Sequence, residues 1–203
     1  MKEIELGQDS RALIFDLDGT LVDTMPLHYR SWQDTAARFS FSFPEERFYR
    51  LAGIPAEGIL ETLERENDRT LDRAAVLACK TELFLQHLPR TELIEPALNL
   101  VRRYHGVLPL AIGTGGKRDV VMRTLELHNL VRYFPVVITA DDVSHHKPHP
   151  ETFLLAAARL GVPPEKCTVI EDGDQGITAA GLAGMRVIDI RPLRWPKPAA
   201  EVR

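Results

Sequence analysis

The chain has 203 residues, enough for one large domain or for a core with one smaller insertion, and its net charge is −4. Acids and bases are mixed along the chain, which excludes the basic stripe of a nucleic-acid binder, and no apolar run has the length of a membrane span. Its two cysteines, Cys79 and Cys167, are far apart in sequence and predict a reducing compartment without a disulfide framework. We therefore expect a cytoplasmic protein in which both cysteines are small, buried apolar side chains.

The first predicted strand covers residues 12–15 and runs directly into Asp16. From residue 25 to residue 90 the pattern is helical and contains no strand. An amphipathic face recurs every three or four residues at Tyr29, Trp32, Ala36 and Phe39. A helix start at Thr24, before Met25-Pro26, opens this segment, and residues 71–88 form a second strongly helical stretch. We interpret residues 25–90 as a helical cap inserted after the first strand, with hinges near Asp23-Thr24 and Pro89-Arg90.

Beyond the cap, short β-branched apolar runs alternate with helical patterns. The predicted strands are 110–112, 136–138, 168–170 and 186–190, with helical patterns at 120–127 and 153–160. This alternation predicts a Rossmann-like α/β fold, a doubly wound parallel sheet with helices on both faces. Its core domain is expected to comprise residues 1–24 and 91–203, with the cap between them. The tail from Arg191 onward contains three prolines and is predicted to cross the surface or fray.

Polar residues follow each predicted strand, and the carboxyl ends of parallel strands meet in one crevice. After the first strand come Asp16 and Asp18, which a turn at Gly19 can direct toward one site. The alternative is an ordinary polar loop, in which Asp, Gly and Thr are common. Glu171-Asp172 follows another strand. Carboxylates that converge on one site repel each other unless a cation lies between them, and their hard oxygen atoms suit Mg²⁺. The alternative interpretation of Glu171-Asp172 is an acidic pair at a helix N-terminus, where the helix dipole favours negative charge.

Two further segments complete the predicted site. The glycine-rich turn Gly113-Thr114-Gly115-Gly116 opens a helix and can hold a phosphate through backbone N–H groups and the Thr114 hydroxyl, or it is only a tight strand-to-helix turn. Lys147 lies in a proline-stiffened loop where its ammonium can balance a phosphate, although a lone loop lysine is more often solvated. The neighbouring histidines 145, 146 and 149 lack a cysteine or a spaced partner, which argues against zinc.

Together the segments Asp16-Leu17-Asp18-Gly19-Thr20, Thr114, Lys147 and Glu171-Asp172 resemble the four motifs of the haloacid dehalogenase superfamily, in order and across nearly the whole chain. The hinge segment 23–28 and the cap loop 53–57 resemble the β-phosphoglucomutase-like subgroup. Segments 111–116, 145–148 and 173–176 look most like bacterial phosphatases acting on fructose 1-phosphate and related sugar phosphates.

This resemblance implies a phosphatase that forms an aspartyl-phosphate. Its catalytic residues would be Asp16 as nucleophile, Asp18 as general acid and base, Thr114 and Lys147. Mg²⁺ would be held by Asp16, Asp18, Glu171 and Asp172, Asp18 through its backbone carbonyl and Glu171 directly or through water. The substrate would be bound by His28, Lys80, Thr114, Gly115, Gly116 and Lys147. Without the resemblance, His28 and Lys80 are ordinary residues of amphipathic helices.

Two departures from the subgroup pattern bear on function. Ala56 stands where the mutases carry an arginine that helps hold a second phosphate, which argues against a β-phosphoglucomutase-type isomerase. Gly173 stands where many relatives carry serine. A dehalogenase is disfavoured because such enzymes generally lack a second aspartate at Asp18, and a non-catalytic phosphate-binding protein is disfavoured because all four motifs are chemically complete. We expect a monomer whose partner is a small phosphorylated metabolite, with no nucleic acid and no membrane.

Overall fold

The computed structural model describes residues 6, 7 and 9–194. Five parallel strands form one sheet in the order β3-β2-β1-β4-β5. Their bounds are β1 Ala12–Phe15, β2 Leu110–Gly113, β3 Val136–Ile138, β4 Cys167–Glu171 and β5 Arg186–Asp189. The strand order places β1 at the centre, so the polar residues that follow β1, β2 and β4 meet at one edge of the sheet.

The central strand supplies the cores on both faces of the sheet because successive side chains of a strand point to opposite sides. Leu13 and Phe15 pack in a cluster with side chains of α5 (Glu95–Tyr104) and α6 (Arg118–Leu127). Ala12 and Ile14 pack in a second cluster with α7 (Glu151–Leu160) and α8 (Asp174–Leu182). All four β1 side chains are fully buried. This confirms the predicted doubly wound α/β architecture, with the edge strands β3 and β5 less buried than the centre.

Residues 25–90 contain helices and no strand, as predicted. They form α1 Met25–Arg38, α2 Glu45–Arg50, α3 Ala56–Glu66, α4 Arg73–His87 and the 3₁₀ turn Leu88–Arg90. Trp32 and Phe43 meet edge to face in an apolar cluster drawn from residues 25–77 alone. Because this insertion has its own core, we propose the domain boundaries at residues 24/25 and 90/91. The name cap is kept for residues 25–90.

Three details differ from the sequence predictions or extend them. Cys167 is buried as expected, but Cys79 is only half-buried because it lies on α4 beside the Arg38 guanidinium, so that prediction was wrong for Cys79. The first four residues of the tail, Arg191–Arg194, form a short helix in which Arg191 binds Asp189 and Asp174. The prolines at 196 and 198 lie outside the described residues. Among the helices formed by the described residues, none has both the length and the apolar character of a membrane span.

Candidate active site

Asp16, the residue that follows the central strand, is held by a buried lysine. Lys147 Nζ lies 2.7 Å from Asp16 Oδ1 and 2.7 Å from Glu171 Oε2, and all three residues are buried. Burial opposes the charge of Lys147, but the two carboxylates outweigh it and raise the pKa of the ammonium above its usual value. Lys147 is therefore a fixed cation between the ends of β1 and β4. The peptide bond from Lys147 to Pro148 is cis.

The acidic loop after β4 places Asp172 against the loop that follows β1. Thr20 Oγ1 donates to Asp172 Oδ1 at 3.0 Å. Between them Gly19 has φ +88°, and a Cβ atom there would lie 2.2 Å from Asp172 Oδ2. Glycine is thus required at residue 19 both by the left-handed backbone and by the closeness of the second carboxylate.

Both oxygens of the Glu171 carboxylate accept hydrogen bonds. Its Oε1 accepts the backbone N–H groups of Asp172 and Gly173, both at 2.9 Å, while Oε2 accepts from Lys147. A Cβ atom on Gly176 would come within 1.8 Å of Oε2, so the first turn of α8 also requires a glycine. Glu171 therefore holds Lys147 and its own loop in place.

The donor set at this end of the sheet fits a divalent cation. One carboxylate oxygen from each of Asp16, Glu171 and Asp172 lies within 4.8 Å of the others, and Lys147 is the ammonium bound among them. Burial, and then the charge of Glu171, raise the pKa of Asp16 well above its usual value despite the opposing charge of Lys147. Three carboxylates against one ammonium leave an excess of negative charge that a hard cation such as Mg²⁺ would offset.

Asp18 faces the cap rather than this cluster. Its Oδ1 accepts from Thr24 Oγ1 at 2.6 Å and lies 3.3 Å from His28 Nε2. Burial opposes ionisation of Asp18, but the contacts with His28 and Thr24 and the charge of Lys80 outweigh it and lower the pKa of the carboxyl. The Thr24 hydroxyl does not cap α1, although the helix begins at Met25 as predicted. The hinge residue is thus bound to the candidate acid–base group.

Behind His28 stands Lys80, which is buried in the cap rather than solvated. Its Nζ lies 2.8 Å from His28 Nδ1, and both groups lie on the ring of Phe84, which stacks on His28 with centroids 4.1 Å apart. Burial lowers the pKa of Lys80 to about 8. Burial, and then the charge of Lys80, also lower the pKa of His28, so the imidazole is neutral at pH 7. An ammonium only donates, so Nδ1 accepts and Nε2–H donates to Asp18.

The glycine-rich turn after β2 lies directly under the cap. The Gly116 N–H donates to Thr114 Oγ1 at 3.1 Å, and Thr114 is buried. A Cβ atom on Gly115 would lie 2.5 Å from the backbone oxygen of Gly53 in the cap loop. The core turn and the cap loop therefore touch backbone to backbone, and a side chain at residue 115 would separate them.

These groups face one cavity of about 500 Å³ between core and cap, a size suited to a small ligand. Asp16, Asp18, Thr114, Gly115, Gly116 and Glu171 line its core side, and His28 and Lys80 line its cap side. Apolar side chains cover much of the remaining cap wall: Met25, Trp32, Phe48, Leu51, Ile54, Ile59 and Leu77. The structure thus brings these sequence-predicted residues to one cavity, whereas Lys147 does not line it and is buried against Asp16 and Glu171.

The loop histidines do have a partner that the sequence did not indicate. His145, His149 and Glu151 offer ligand atoms within 4.8 Å of one another at the surface. Glu151 is already occupied, however, because its oxygens accept from the backbone of Ser144 and from both the backbone and Nδ1 of His145. The arrangement is a hydrogen-bonded loop at the start of α7.

Three contacts of the site escaped the sequence analysis. They are the Thr24–Asp18 hydrogen bond, the Phe84 ring under His28 and Lys80, and an ion pair between Glu57 of the cap and Lys117 of the core. A helical spacing of four residues between Lys80 and Phe84 was available as a signal for the second. The other two depend on how the cap docks on the core.

Known proteins resemble this chain over most of its length. A family model described as "Haloacid dehalogenase-like hydrolase" matches residues 13–190. Fructose-1-phosphate phosphatase YqaB of Escherichia coli is 39% identical over 89% of this chain and 96% of its own. A phosphorylated carbohydrates phosphatase of Thermotoga maritima is 33% identical over 87% of this chain and 83% of its own. The structure of β-phosphoglucomutase from Clostridium difficile superposes with a TM-score of 0.81, covering 91% and 87% of the two chains, at 22% identity, which is a likeness of fold.

Proposed function

The chain belongs to the haloacid dehalogenase-like hydrolases and is a phosphoric monoester hydrolase, and we propose that it hydrolyses small sugar phosphates such as fructose 1-phosphate through a phosphorylated Asp16. The observation that carries the proposal is the placement of two carboxylates on one cavity. Asp16 is fixed by a buried lysine, and Asp18 is bound to the cap. One carboxylate is thus placed to attack phosphorus and the other to move a proton.

We propose that Asp16 is the nucleophile because Lys147 binds only Oδ1 and leaves a second oxygen for phosphorus. The Asp16 oxygen forms a bond to phosphorus as the bond from phosphorus to the sugar oxygen breaks. Lys147, the Thr114 hydroxyl and the Gly115 N–H would bind the phosphoryl oxygens as their charge redistributes. Water then attacks phosphorus, releases phosphate and restores the Asp16 carboxylate.

Proton transfer is assigned to Asp18. It protonates the departing sugar oxygen and then takes a proton from the attacking water. The negative phosphate beside it would raise the pKa of the carboxyl and favour the protonated form in the substrate complex. After the sugar leaves, the neutral imidazole of His28, oriented by Lys80, donates to the ionised form. The same carboxyl would thus serve as acid and then as base.

Magnesium is the cofactor that we propose for this site. Asp16, Asp172 and the backbone carbonyl of Asp18 would hold it. Glu171 would act through water because both of its oxygens already accept hydrogen bonds. When bound, Mg²⁺ offsets the repulsion between the Asp16 carboxylate and the phosphate.

The relatives' names support a sugar phosphate as substrate, since they act on fructose 1-phosphate or phosphorylated carbohydrates. A mutase would need to retain a bisphosphate intermediate, and Ala56 offers it no cation. Conversion of β-glucose 1-phosphate to glucose 6-phosphate would contradict the phosphatase proposal.

The test is an Asp16→Asn variant, assayed with Mg²⁺ on fructose 1-phosphate and on a panel of other sugar phosphates. We expect loss of turnover and no phosphorylated protein by mass spectrometry after an acid quench. Asp18→Asn is the matched variant, and its turnover should fall by at least about 10²-fold because both proton transfers lose their carboxyl group. Turnover that survives in Asp16→Asn would contradict the mechanism.

A further inference from the structure

The cavity is bordered by a charge pair that joins cap and core. Glu57, in the first turn of α3, forms an ion pair with Lys117, which directly precedes α6. Both residues line the cavity. The two side chains are about half exposed, so the pair adds little to stability. The pair matters instead because both of its charges face the cavity in which a ligand would bind.

The cations around the cavity already have partners among the described residues. Lys147 binds Asp16 and Glu171, and Lys80 binds His28. Lys117 is paired with Glu57, and its hydrogen bond to Glu57, followed by the charges of Glu57, Asp141 and Asp119, raises the pKa of the ammonium against the effect of burial. Glu57 is close enough to Lys80 for its charge to act there too.

The cavity wall around this pair is therefore balanced in charge. Lys80 and Lys117 are offset there by Glu57 and Asp119, both of which line the cavity. A ligand whose single phosphate is bound beside Asp16 would turn its other end toward this part of the wall. A hydroxyl-bearing, uncharged end meets donors and acceptors there. A second phosphate or a carboxylate would meet the Glu57 carboxylate and would have to displace it from Lys117.

We infer that Glu57 is a specificity-determining residue which, by pairing with Lys117, selects monophosphates with an uncharged leaving group and rejects metabolites that carry a second phosphate or a carboxylate. This inference rests on the proposed function for the position of the reacting phosphate. Glu57 would thus discriminate between substrates at the end that does not carry the reacting phosphate.

The test compares fructose 1-phosphate with fructose 1,6-bisphosphate, a pair that differs only in the second phosphate. Each is measured as a competitive inhibitor of p-nitrophenyl phosphate hydrolysis, and the readout is the ratio of the two inhibition constants. In Glu57→Gln that ratio should shift by about tenfold in favour of the bisphosphate, equivalent to about 1.4 kcal/mol. Lys117 is then free to receive the second phosphate.

Two further variants separate charge selection from a structural effect. The double variant Glu57→Gln/Lys117→Gln removes the freed cation, so its ratio should return toward that of the wild type. Glu61→Gln is the matched control on the same helix, since Glu61 pairs with Arg73 outside this cavity, and it should leave the ratio unchanged. An unchanged ratio in Glu57→Gln, or a shift that persists in the double variant or appears in Glu61→Gln, would overturn the inference.

Failure of the proposed function would look different. The wild-type protein would then hydrolyse neither p-nitrophenyl phosphate nor any sugar monophosphate. In that case titration calorimetry of the two fructose phosphates on the same four proteins decides the inference by binding alone. The expected and contradicting ratios are the same as in the inhibition assay.

Discussion

Lys80 Nζ lies 2.8 Å from His28 Nδ1, and this contact connects the buried interior of the cap to the carboxyl group of Asp18. The lysine is 7% exposed and makes this contact with a neutral ring rather than a carboxylate. A buried ammonium without a direct anionic partner weakens the fold, so its presence is better explained by the site than by stability.

Replacing this lysine should therefore stabilise the folded protein and lower its catalytic activity. Burial lowers the pKa of Lys80 to about 8 in the folded state, against about 10.5 in an unfolded chain. Below pH 8 Lys80 is protonated in both states, and the full cost of burying its charge lowers the free energy of unfolding. Between pH 8 and 10.5 the unfolded state binds more protons, so wild-type stability rises with pH in this window. Lys80→Met should gain on the order of 1–2 kcal/mol at pH 7, after the loss of the His28 contact, while kcat/KM falls.

Urea unfolding at pH 7 and pH 10, without divalent cations, measures this effect. The advantage of Lys80→Met over the wild type should shrink at the higher pH. Lys166→Met is the control, because Lys166 is a partly exposed surface lysine paired with Asp9 and should stay within about 0.5 kcal/mol of the wild type. A Lys80→Met protein that is less stable than the wild type at pH 7 would show that the buried charge is compensated.

Divalent cation binding should raise stability through the carboxylates at the end of the sheet. Mg²⁺ at 100 times its Kd is expected to add about 2.7 kcal/mol, seen as a rise in Tm relative to protein in chelator. Asp172→Asn removes one carboxylate and should abolish most of this rise. A Tm shift of the same size in both proteins would place the cation elsewhere.

The same carboxylates predict how the chelated protein responds to pH. Burial and the neighbouring Glu171 raise the pKa of Asp16, so the folded state holds a proton that the unfolded chain releases near pH 4. Stability without cation therefore falls as the pH rises from about 4 through the raised value. Saturating Mg²⁺ should flatten this dependence, and thermal melts from pH 4 to pH 8 with and without the cation would detect the difference.

Closure of the cap should depend on the absence of a side chain at Gly115. A methyl group there would lie 2.5 Å from the Gly53 oxygen, so Gly115→Ala should displace the cap loop and lower kcat/KM by at least about tenfold while the core stays folded. Gly181→Ala is the matched control. Gly181 lies in α8 with nothing within 4 Å of the added atom, and the change should stabilise the helix by up to about 1 kcal/mol. Equal activity in both variants would show that the close approach at Gly115 is unimportant.

The sequence predicted the sheet and the groups at its edge because both follow from local rules. Each apolar run is a strand within one or two residues, and the ends of parallel strands bring Asp16 and Glu171 together, whereas the role of Lys147 was predicted from the family resemblance. The predicted roles of the site residues remain proposals. They are supported by Asp16 and Glu171 lining the cavity and by Lys147 binding both.

The contacts between cap and core were not predictable from local pattern. Glu57 and Lys117 are 60 residues apart and meet only because the first turn of α3 lies beside the residue that precedes α6. For Thr24, the helix-start pattern correctly placed the first residue of α1 but said nothing of a hydroxyl that turns to Asp18 instead of capping the helix. Cys79 was misassigned because residue type alone does not tell which face of α4 turns toward Arg38.

The partners of the two central aspartates belong to different parts of the chain. Asp16 is held by Lys147, which also binds Glu171 on the sheet side, whereas Asp18 depends on Thr24 at the hinge and on His28 in the cap. The phosphate acceptor is thus held from the core, whereas the proton carrier is held in part from the cap. Movement of the cap away from the core would separate Asp18 from His28. Water entering the open cavity would then meet an Asp18 carboxylate without its imidazole partner, and a ligand small enough to fit under the cap would restore the contact.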